Sequence, residues 1–303
     1  MKNRELLCYF AGKTGSAVGK FSNAQLDDIQ EIRLRINRPA AVCTEGKILY
    51  ITENGQLTYN SKSAIIVCEQ DLRRTFEAVC QYSVHSFQKE ISQGFITVKG
   101  GHRVGFCGTA VVRNGTVENV KNINSMNFRI AREVIGCSEK LFESCFSGGL
   151  CSILIAGIPS SGKTTVLRDL TRILGERFKV SAIDERGEIA ALWNGIPQND
   201  IGINTDVFDG YGKADGISAA VRVMSPQVIV CDEIGLAADL SALREAASCG
   251  VYAAATVHAA DISDLLRRFT KDGLDCFDKI AFLSGMGKIS SIVKTRSERF
   301  EKE

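Results

Sequence analysis

The first part of the chain alternates short apolar runs with polar positions in the pattern of half-buried strands. Across residues 31–38, Ile32, Leu34 and Ile36 share one face and charged residues share the other, a period of two that predicts a β-strand. Further strands are predicted at 41–43 and 47–51, whereas apolar positions three and four apart between 72 and 80 predict a helix. This mixture predicts an α+β domain.

The next apolar runs predict antiparallel pairing. Residues 95–99 and 103–112 flank two consecutive glycines, and Asn114-Gly115 between two valines is typical of a type I′ hairpin. We assign this N-terminal domain to residues 1–121 and a linker to 122–149, where asparagine, serine and glycine become frequent.

Beyond residue 150 the pattern changes to strand-length apolar runs that alternate with helical ones. The runs are strands at 151–156, 179–183, 228–231 and 251–257, and helices at 164–174 and 240–248. This alternation predicts a mainly parallel sheet that is covered by helices on both faces. We therefore expect an α/β domain over 150–303.

Composition narrows the class of protein without changing this organisation. A length of 303 residues suits two domains, and 45% hydrophobic with 24% charged residues excludes a disordered chain. No apolar run approaches the ~18 residues of a membrane helix, and the N-terminus lacks a secretory core, so we expect a cytoplasmic protein. Eleven cysteines without a CxxC pair fit neither a disulfide framework nor a zinc site.

The strongest chemical signal is the segment Gly-Ile-Pro-Ser-Ser-Gly-Lys-Thr, which matches the phosphate-loop pattern GxxxxGK[ST] between a predicted strand and a predicted helix. Its backbone N–H groups and the helix N-terminus suit phosphate oxygens, Lys163 supplies a charge for the β and γ phosphates, and Thr164 can ligate Mg²⁺. The candidate nucleotide-binding residues are Gly157, Ile158, Pro159, Ser160, Ser161, Gly162, Lys163, Thr164 and Thr165. The cofactors expected are ATP and Mg²⁺, and the absence of GxGxxG disfavours a dinucleotide.

A second apolar strand ends in two carboxylates, Asp232 and Glu233. We predict that Asp232 joins Thr164 in the Mg²⁺ shell. A carboxylate that directly follows the metal-binding aspartate is suited to orient or deprotonate an attacking water, so Glu233 indicates hydrolysis.

Weaker signals lie at the ends of two other predicted strands. Asp184, Glu185 and Glu188 follow one of them, where acidic residues are as often solvated as functional. His258 follows another and either senses the γ-phosphate or is structural. The residues alone leave both questions open.

Four segments in this order resemble the secretion ATPase superfamily of type II and type IV secretion and pilus motors, and within it a family of sporulation proteins. The segments are GIPSSGKTT, AIDERGE, VRVMSPQVIVCDEIG and ALREAASCGVYAAATVHA. The N-terminal segments DIQEIRLRINRPAAV, GFITVKGGHRVGFCGTAV and NFRIARE extend the resemblance over most of the chain.

This resemblance implies a RecA-like motor domain that works as a homohexamer with membrane channel or secretion-apparatus proteins, in a channel between mother cell and forespore. It implies that Asp184, Glu185 and Glu188 match an aspartate box, that His258 matches a histidine box, and that Arg222 matches a common arginine. The motors commonly carry Gly-Glu where this chain has Asp232-Glu233, and their tetracysteine zinc insertion is absent here. The sequence therefore leaves open whether Glu185, Glu188 or Glu233 activates water.

A motor of this kind usually completes its site with arginines from a neighbouring domain or subunit. The basic N-terminal half offers Arg103, Arg113, Arg129 and Arg132.

Two alternative functions remain. A nucleic-acid-binding phosphate-loop ATPase is disfavoured by the formal net charge of only +2 and by the lack of a recognition module. A phosphoryl-transfer kinase is disfavoured by Glu233.

Overall fold

A computed structural model describes residues 2–269 and 271–295 and divides them into two compact units. Within the described residues, the first unit consists of 2–132 with 193–198, and the second of 133–192 with 199–295. The segment 122–149, predicted as a linker, contains the end of a strand and a helix. The end of the predicted C-terminal domain, 296–303, lies outside the described residues. The domain limits stay a prediction.

The first unit combines short helices with an antiparallel sheet. Its α-helices are α1 Lys2–Glu5, α2 Gly12–Val18, α3 Asn23–Asp28, α4 Glu69–Val79 and α5 Gln88–Gln93, with 3-10 turns at Leu6–Tyr9, Ser61–Ser63 and Val84–Phe87. Its strands are β1 Glu31–Arg35, β2 Ala41–Thr44, β3 Lys47–Ile51, β4 Leu57–Thr58, β5 Phe95–Val98, β6 His102–Arg113 and β7 Thr116–Arg129. They pair in the order β4-β3-β2-β1-β7-β6-β5, with every pair antiparallel.

The predicted α+β character of this unit is confirmed, with one strand shorter than predicted. Strand β1 ends at Arg35 and not near residue 38, because the N–H of Arg38 bonds back to the carbonyl of Arg35 at 3.1 Å and Asn37 turns the chain with φ of 56°. The hairpin between β6 and β7 turns at Asn114 and Gly115, with φ of 50° and 78°, as a type I′ turn requires.

The second unit is an α/β domain. Its helices are α6 Glu139–Phe146, α7 Lys163–Gly175, α8 Lys213–Met224, α9 Ala237–Ser248 and α10 Ile262–Arg268, with a 3-10 turn at Lys271–Leu274. Its strands are β8 Ile153–Gly157, β9 Val180–Asp184, β10 Thr205–Asp209, β11 Val228–Cys231, β12 Tyr252–His258, β13 Lys279–Gly285 and β14 Lys288–Lys294. The sheet order is β10-β9-β11-β12-β8-β13-β14, and all neighbours are parallel except β13 and β14.

Burial explains why the central strands are continuous apolar runs. Every residue of β8, β9 and β11 is buried, and two apolar clusters cover the two faces of the sheet. The predicted organisation, a mainly parallel α/β domain preceded by an α+β domain, is therefore confirmed. The carboxyl ends of β8, β9, β11, β12 and β13 meet at one edge, where α/β sheets bind ligands. In the part of the chain that the structure describes, no helix is long and apolar enough to cross a membrane.

Candidate nucleotide-binding site

The segment between β8 and α7 forms a tight loop that only glycine allows at two positions. A Cβ at Gly157 would collide with the hydroxyl of Ser161, and a Cβ at Gly162, whose φ is 91°, would lie 2.7 Å from the nitrogen of Gly287. The Ser161 hydroxyl is buried and has no hydrogen-bond partner among the described residues. A buried donor of this kind and a helix N-terminus both suit phosphate oxygens, so the loop fits the expected nucleotide.

Lys163 begins α7 and turns its side chain into this loop, where it is only 5% exposed. Its Nζ donates to the carbonyl of Ile158 at 2.9 Å and lies 3.0 Å from Nδ1 of His258. Burial lowers the pKa of Lys163, and the charges of Asp232 and Glu233 oppose that shift. The structure therefore places a buried amine next to the imidazole at the end of β12 and near the two carboxylates that follow β11.

Asp232 follows β11 and is held by two hydroxyl groups. Thr164 donates to its Oδ2 at 2.8 Å, and Thr256 of β12 donates to its Oδ1. Burial raises the pKa of Asp232, although these two hydrogen bonds act in the opposite direction. The predicted pair of magnesium ligands, Thr164 and Asp232, is thus brought together.

The donor set at this point fits Mg²⁺, which prefers oxygen ligands and keeps waters and substrate phosphates in its shell. Two protein oxygens are sufficient for such a site. Within residues 2–269 and 271–295, no group of three or more His, Cys, Asp and Glu side chains could hold a metal by itself. A metal here would therefore share its shell with a phosphorylated ligand.

Glu233 links two other elements of the sheet edge, the end of β12 and the loop after β9. Its Oε1 lies 2.7 Å from Nε2 of His258, and its Oε2 accepts a hydrogen bond from Arg186 at 2.7 Å. Because the amine of Lys163 donates to Nδ1, the ring proton of a neutral His258 belongs on Nε2, where it points at Glu233. Burial alone would raise the pKa of Glu233, but the hydrogen bond from His258 and the charge of Arg186 outweigh it and lower this pKa. Glu233 is therefore an ionised carboxylate.

The backbone at Glu233 is left-handed, with φ of 49°. Its N–H donates to the hydroxyl of Thr256 at 2.8 Å and to Oδ1 of Asp232 at 3.0 Å. Thr256 thus contacts the carboxylate of Asp232 and the backbone of Glu233, and we did not predict it from the sequence. The period of two along β12 puts Thr256 on the same face as His258, which was the available signal.

The acidic loop after β9 divides into residues with different surroundings. Asp184 is 2% exposed and accepts hydrogen bonds from the N–H groups of Glu188, Ile189 and Ala190, so it fixes the loop. Glu185 forms an ion pair with Lys213. The carbonyl of Glu188 accepts two bonds from Arg168, at 2.7 and 3.2 Å.

Glu185 and Glu188 nevertheless remain close to the predicted metal ligand. They line a small cavity together with Arg186, Asp232 and Glu233. The charge of Glu188 contributes to the raised pKa of Asp232. The structure thus brings the three candidate carboxylates to one cavity, and Glu233 contacts His258 there.

The candidate arginines of the first unit mostly have local partners. These are the ring of Phe95 for Arg103 at 4.9 Å, Glu31 for Arg129 at 3.8 Å, and the carbonyl of Asp27 for Arg132 at 2.6 Å. Arg113 is exposed near the tip of the hairpin, and Arg222 is exposed in the last turn of α8 in the second unit. Their suggested role at phosphate stays a prediction.

Comparison with known proteins gives a family model, a relative that is matched over most of its length and another that is matched over a short part of its length. The model of the family described as "Sporulation stage III, protein AA" matches residues 5–300. Stage III sporulation protein AA of Bacillus subtilis strain 168 is 34% identical over 289 residues, which cover 91% of this chain and 90% of that protein. The Arabidopsis thaliana protein SEEDLING PLASTID DEVELOPMENT 1 is 30% identical over 160 residues, which cover 51% of this chain but only 23% of that protein.

Solved structures share the fold at low sequence identity. The Legionella pneumophila ATPase DotB has a TM-score of 0.56 at 18% identity, with 84% of this chain and 72% of that chain covered. The pilus retraction motor PilT, solved with bound ADP, has a TM-score of 0.58 at 16% identity, with 88% and 78% covered. These structures show that the fold is shared with an ATPase and with a pilus retraction motor. The family resemblance noted in the sequence is confirmed by the family model and by the Bacillus subtilis relative.

Proposed function

This chain belongs to the sporulation stage III protein AA family, and from that premise we propose that it is a Mg²⁺-dependent ATPase that energises a membrane channel. The observation that carries the proposal is the connection of Lys163 through His258 to Glu233, with contacts of 3.0 and 2.7 Å. It joins a phosphate-binding amine to an ionised carboxylate at the edge where ligands bind.

In this proposal each side chain has a separate task. The loop N–H groups and Lys163 bind the β and γ phosphates, and Thr164 with Asp232 holds Mg²⁺, which when bound neutralises phosphate charge. Glu233 orients an attacking water and accepts its proton, for which the carboxylate must be ionised, the form that the contacts with His258 and Arg186 stabilise. His258 fixes the orientation of Glu233 and lies beside Lys163, so it can report phosphate binding to the carboxylate.

Glu233 is a better candidate for activating water than the acidic loop. Glu233 is connected through His258 to Lys163 of the phosphate loop, whereas Glu185 pairs with Lys213 of α8. Arg186 holds the second oxygen of Glu233. We therefore assign the loop carboxylates Glu185 and Glu188 a supporting role in the electrostatics of Asp232.

We further propose that the working form is a homohexameric ring that lies in the cytoplasm at the membrane through partner proteins. The support is similarity to secretion ATPases in sequence order and fold, together with the family assignment to sporulation. The channel between mother cell and forespore is the corresponding site of action.

The test combines mass and turnover in one sample. The mass in solution is measured with and without ATP and Mg²⁺, together with phosphate release. A mass of six times the 32.9 kDa of the chain with nucleotide, and a rate per site that rises as the assembly forms, are expected. Full turnover by a monomer would contradict the ring. Strong stimulation by RNA or DNA would favour the nucleic-acid-binding alternative.

A further inference from the structure

The turn between β13 and β14 is fixed against the phosphate loop. The N–H of Gly287 donates to the carbonyl of Ser161 at 2.8 Å. At Gly162 a Cβ would lie only 2.7 Å from that same nitrogen, so the two backbones approach as closely as glycine permits. The turn is therefore part of the wall of the candidate nucleotide site.

The order of strands indicates which part of a nucleotide this wall faces. Strand β8, which leads into the phosphate loop, lies between β12 and β13. On the β12 side lie His258 and, one strand further, Asp232, which mark the γ-phosphate and metal end of the site. When a nucleotide binds in the loop with its γ-phosphate toward Asp232, its α-phosphate and nucleoside point toward β13.

At the tip of this turn an apolar side chain is presented to solvent. Met286 is 92% exposed, with φ of 46°, between two glycines of positive φ. The pairing register between β13 and β14 shifts between residues 282 and 283 and again between residues 283 and 285. Irregularities of this kind change the direction in which the end of a strand points. A methionine thioether is polarisable and packs favourably against aromatic rings.

We propose that Met286 is the platform on which the purine base of the bound nucleotide packs. This rests on the proposed nucleotide function and adds a base subsite to it: the loop holds phosphate, and the turn Gly285–Gly287 holds the base. The subsite is apolar and contacts the ring face, so it discriminates a nucleotide from a base-free phosphate compound.

Calorimetric titration with Mg·ADP and with Mg·pyrophosphate separates the two parts of the site. Met286→Ala removes the thioether and should weaken ADP binding about tenfold, which corresponds to about 1.4 kcal/mol, and leave pyrophosphate binding unchanged. Met286→Leu, which restores apolar volume, should recover most of the ADP affinity. Met224→Ala, at a methionine that is 38% exposed in α8, is the matched control and should bind both ligands as the wild type does.

A second measurement uses the unaltered protein. Peroxide converts exposed methionines to sulfoxides, and peptide mass spectrometry gives the rate at each position. Mg·ADP should slow oxidation of Met286 several-fold, whereas Mg·pyrophosphate should not, and oxidation of Met224 should be unchanged by either ligand.

The outcomes separate this proposal from the proposed function. If Met286→Ala binds ADP as tightly as the wild type, or loses ADP and pyrophosphate equally, the base platform is wrong while nucleotide binding stands. A change in oligomeric mass without a loss of ADP affinity also overturns it. If the wild-type protein binds neither ligand, the nucleotide function itself is contradicted.

Discussion

Replacement of Asp184 tests whether the acidic loop is held by its first carboxylate. Its two oxygens accept four hydrogen bonds of 2.7 to 3.1 Å from three consecutive backbone N–H groups, those of Glu188, Ile189 and Ala190. Ile189 and Ala190 are both 0% exposed, so water cannot replace the carboxylate at these donors without local opening.

The magnitude follows from the number of donors that lose their partner. Each buried donor left unsatisfied costs about 1–3 kcal/mol, so Asp184→Ala should lower the free energy of unfolding of the second unit by about 4 kcal/mol. Asp184→Asn keeps one acceptor oxygen and should cost about half of that. Asp206→Ala, at an exposed carboxylate on the neighbouring β10, is the matched control and should cost less than about 0.5 kcal/mol.

Two assays check this prediction. Urea unfolding followed by circular dichroism gives the free energy, and hydrogen exchange with mass spectrometry reports the amides of residues 188–190 directly. In Asp184→Ala these amides should exchange much faster than in the wild type. A loss of less than about 1 kcal/mol, with unchanged exchange in this loop, would refute the reasoning.

Three further predictions concern the carboxylate of Glu233, the hydroxyl of Thr256 and the carboxylate of Asp169. Glu233→Gln should still bind ATP and Mg²⁺ but should release phosphate more slowly by a factor of about 10² or more, the scale of a lost general base. Glu185→Gln should have a smaller effect on phosphate release. The reverse order would mean that the general base lies in the loop after β9. Thr256→Val should raise the Mg²⁺ concentration for half-maximal turnover and Thr256→Ser should not, and equal behaviour of both variants would contradict the positioning role. Burial alone would raise the pKa of Asp169, but the hydrogen bonds that this carboxylate accepts from Ser138, Gly136 and Arg172 lower its pKa. The ionised carboxylate therefore stabilises the fold above about pH 4, and this stabilisation is lost as the pH falls through the lowered pKa. Acid unfolding of Asp169→Asn should therefore be less steep than that of the wild type, and parallel curves would contradict this.

The fold was predictable for most of the strands that are buried on both faces. Strands β8, β9, β11 and β12 are nearly continuous apolar runs, and each was predicted within about two residues. Strands β10 and β14 were missed because they lie at the edges of the sheet and are only partly buried, so their sequences mix polar and apolar positions without a clear period. Strand β13 was missed as well, although it lies inside the sheet and its residues 280–283 are buried. Helix α8 was missed too, and it contains a glycine and buries only three residues.

The site was predictable where its signal is local in sequence. The phosphate loop and the Asp232-Glu233 pair are contiguous motifs, and the structure puts their side chains at one edge of the sheet. The partners of Glu233, by contrast, come from the ends of β9 and β12, and no sequence pattern gives the distances from Arg186 or His258. Asp184 was grouped with the acidic candidates because its backbone partners are visible only in the folded loop.

The central claim, that the buried amine of the phosphate loop serves ATP hydrolysis, is tested most directly by phosphate release from ATP with Mg²⁺. Wild-type protein and Lys163→Ala are compared at equal site concentration, after circular dichroism has established that both are folded. Because the substitution removes the positive charge that faces the phosphates, the account predicts steady release by the wild type and none above background by Lys163→Ala. Equal release by the two proteins, or none by a wild type that forms its assembly, would contradict it.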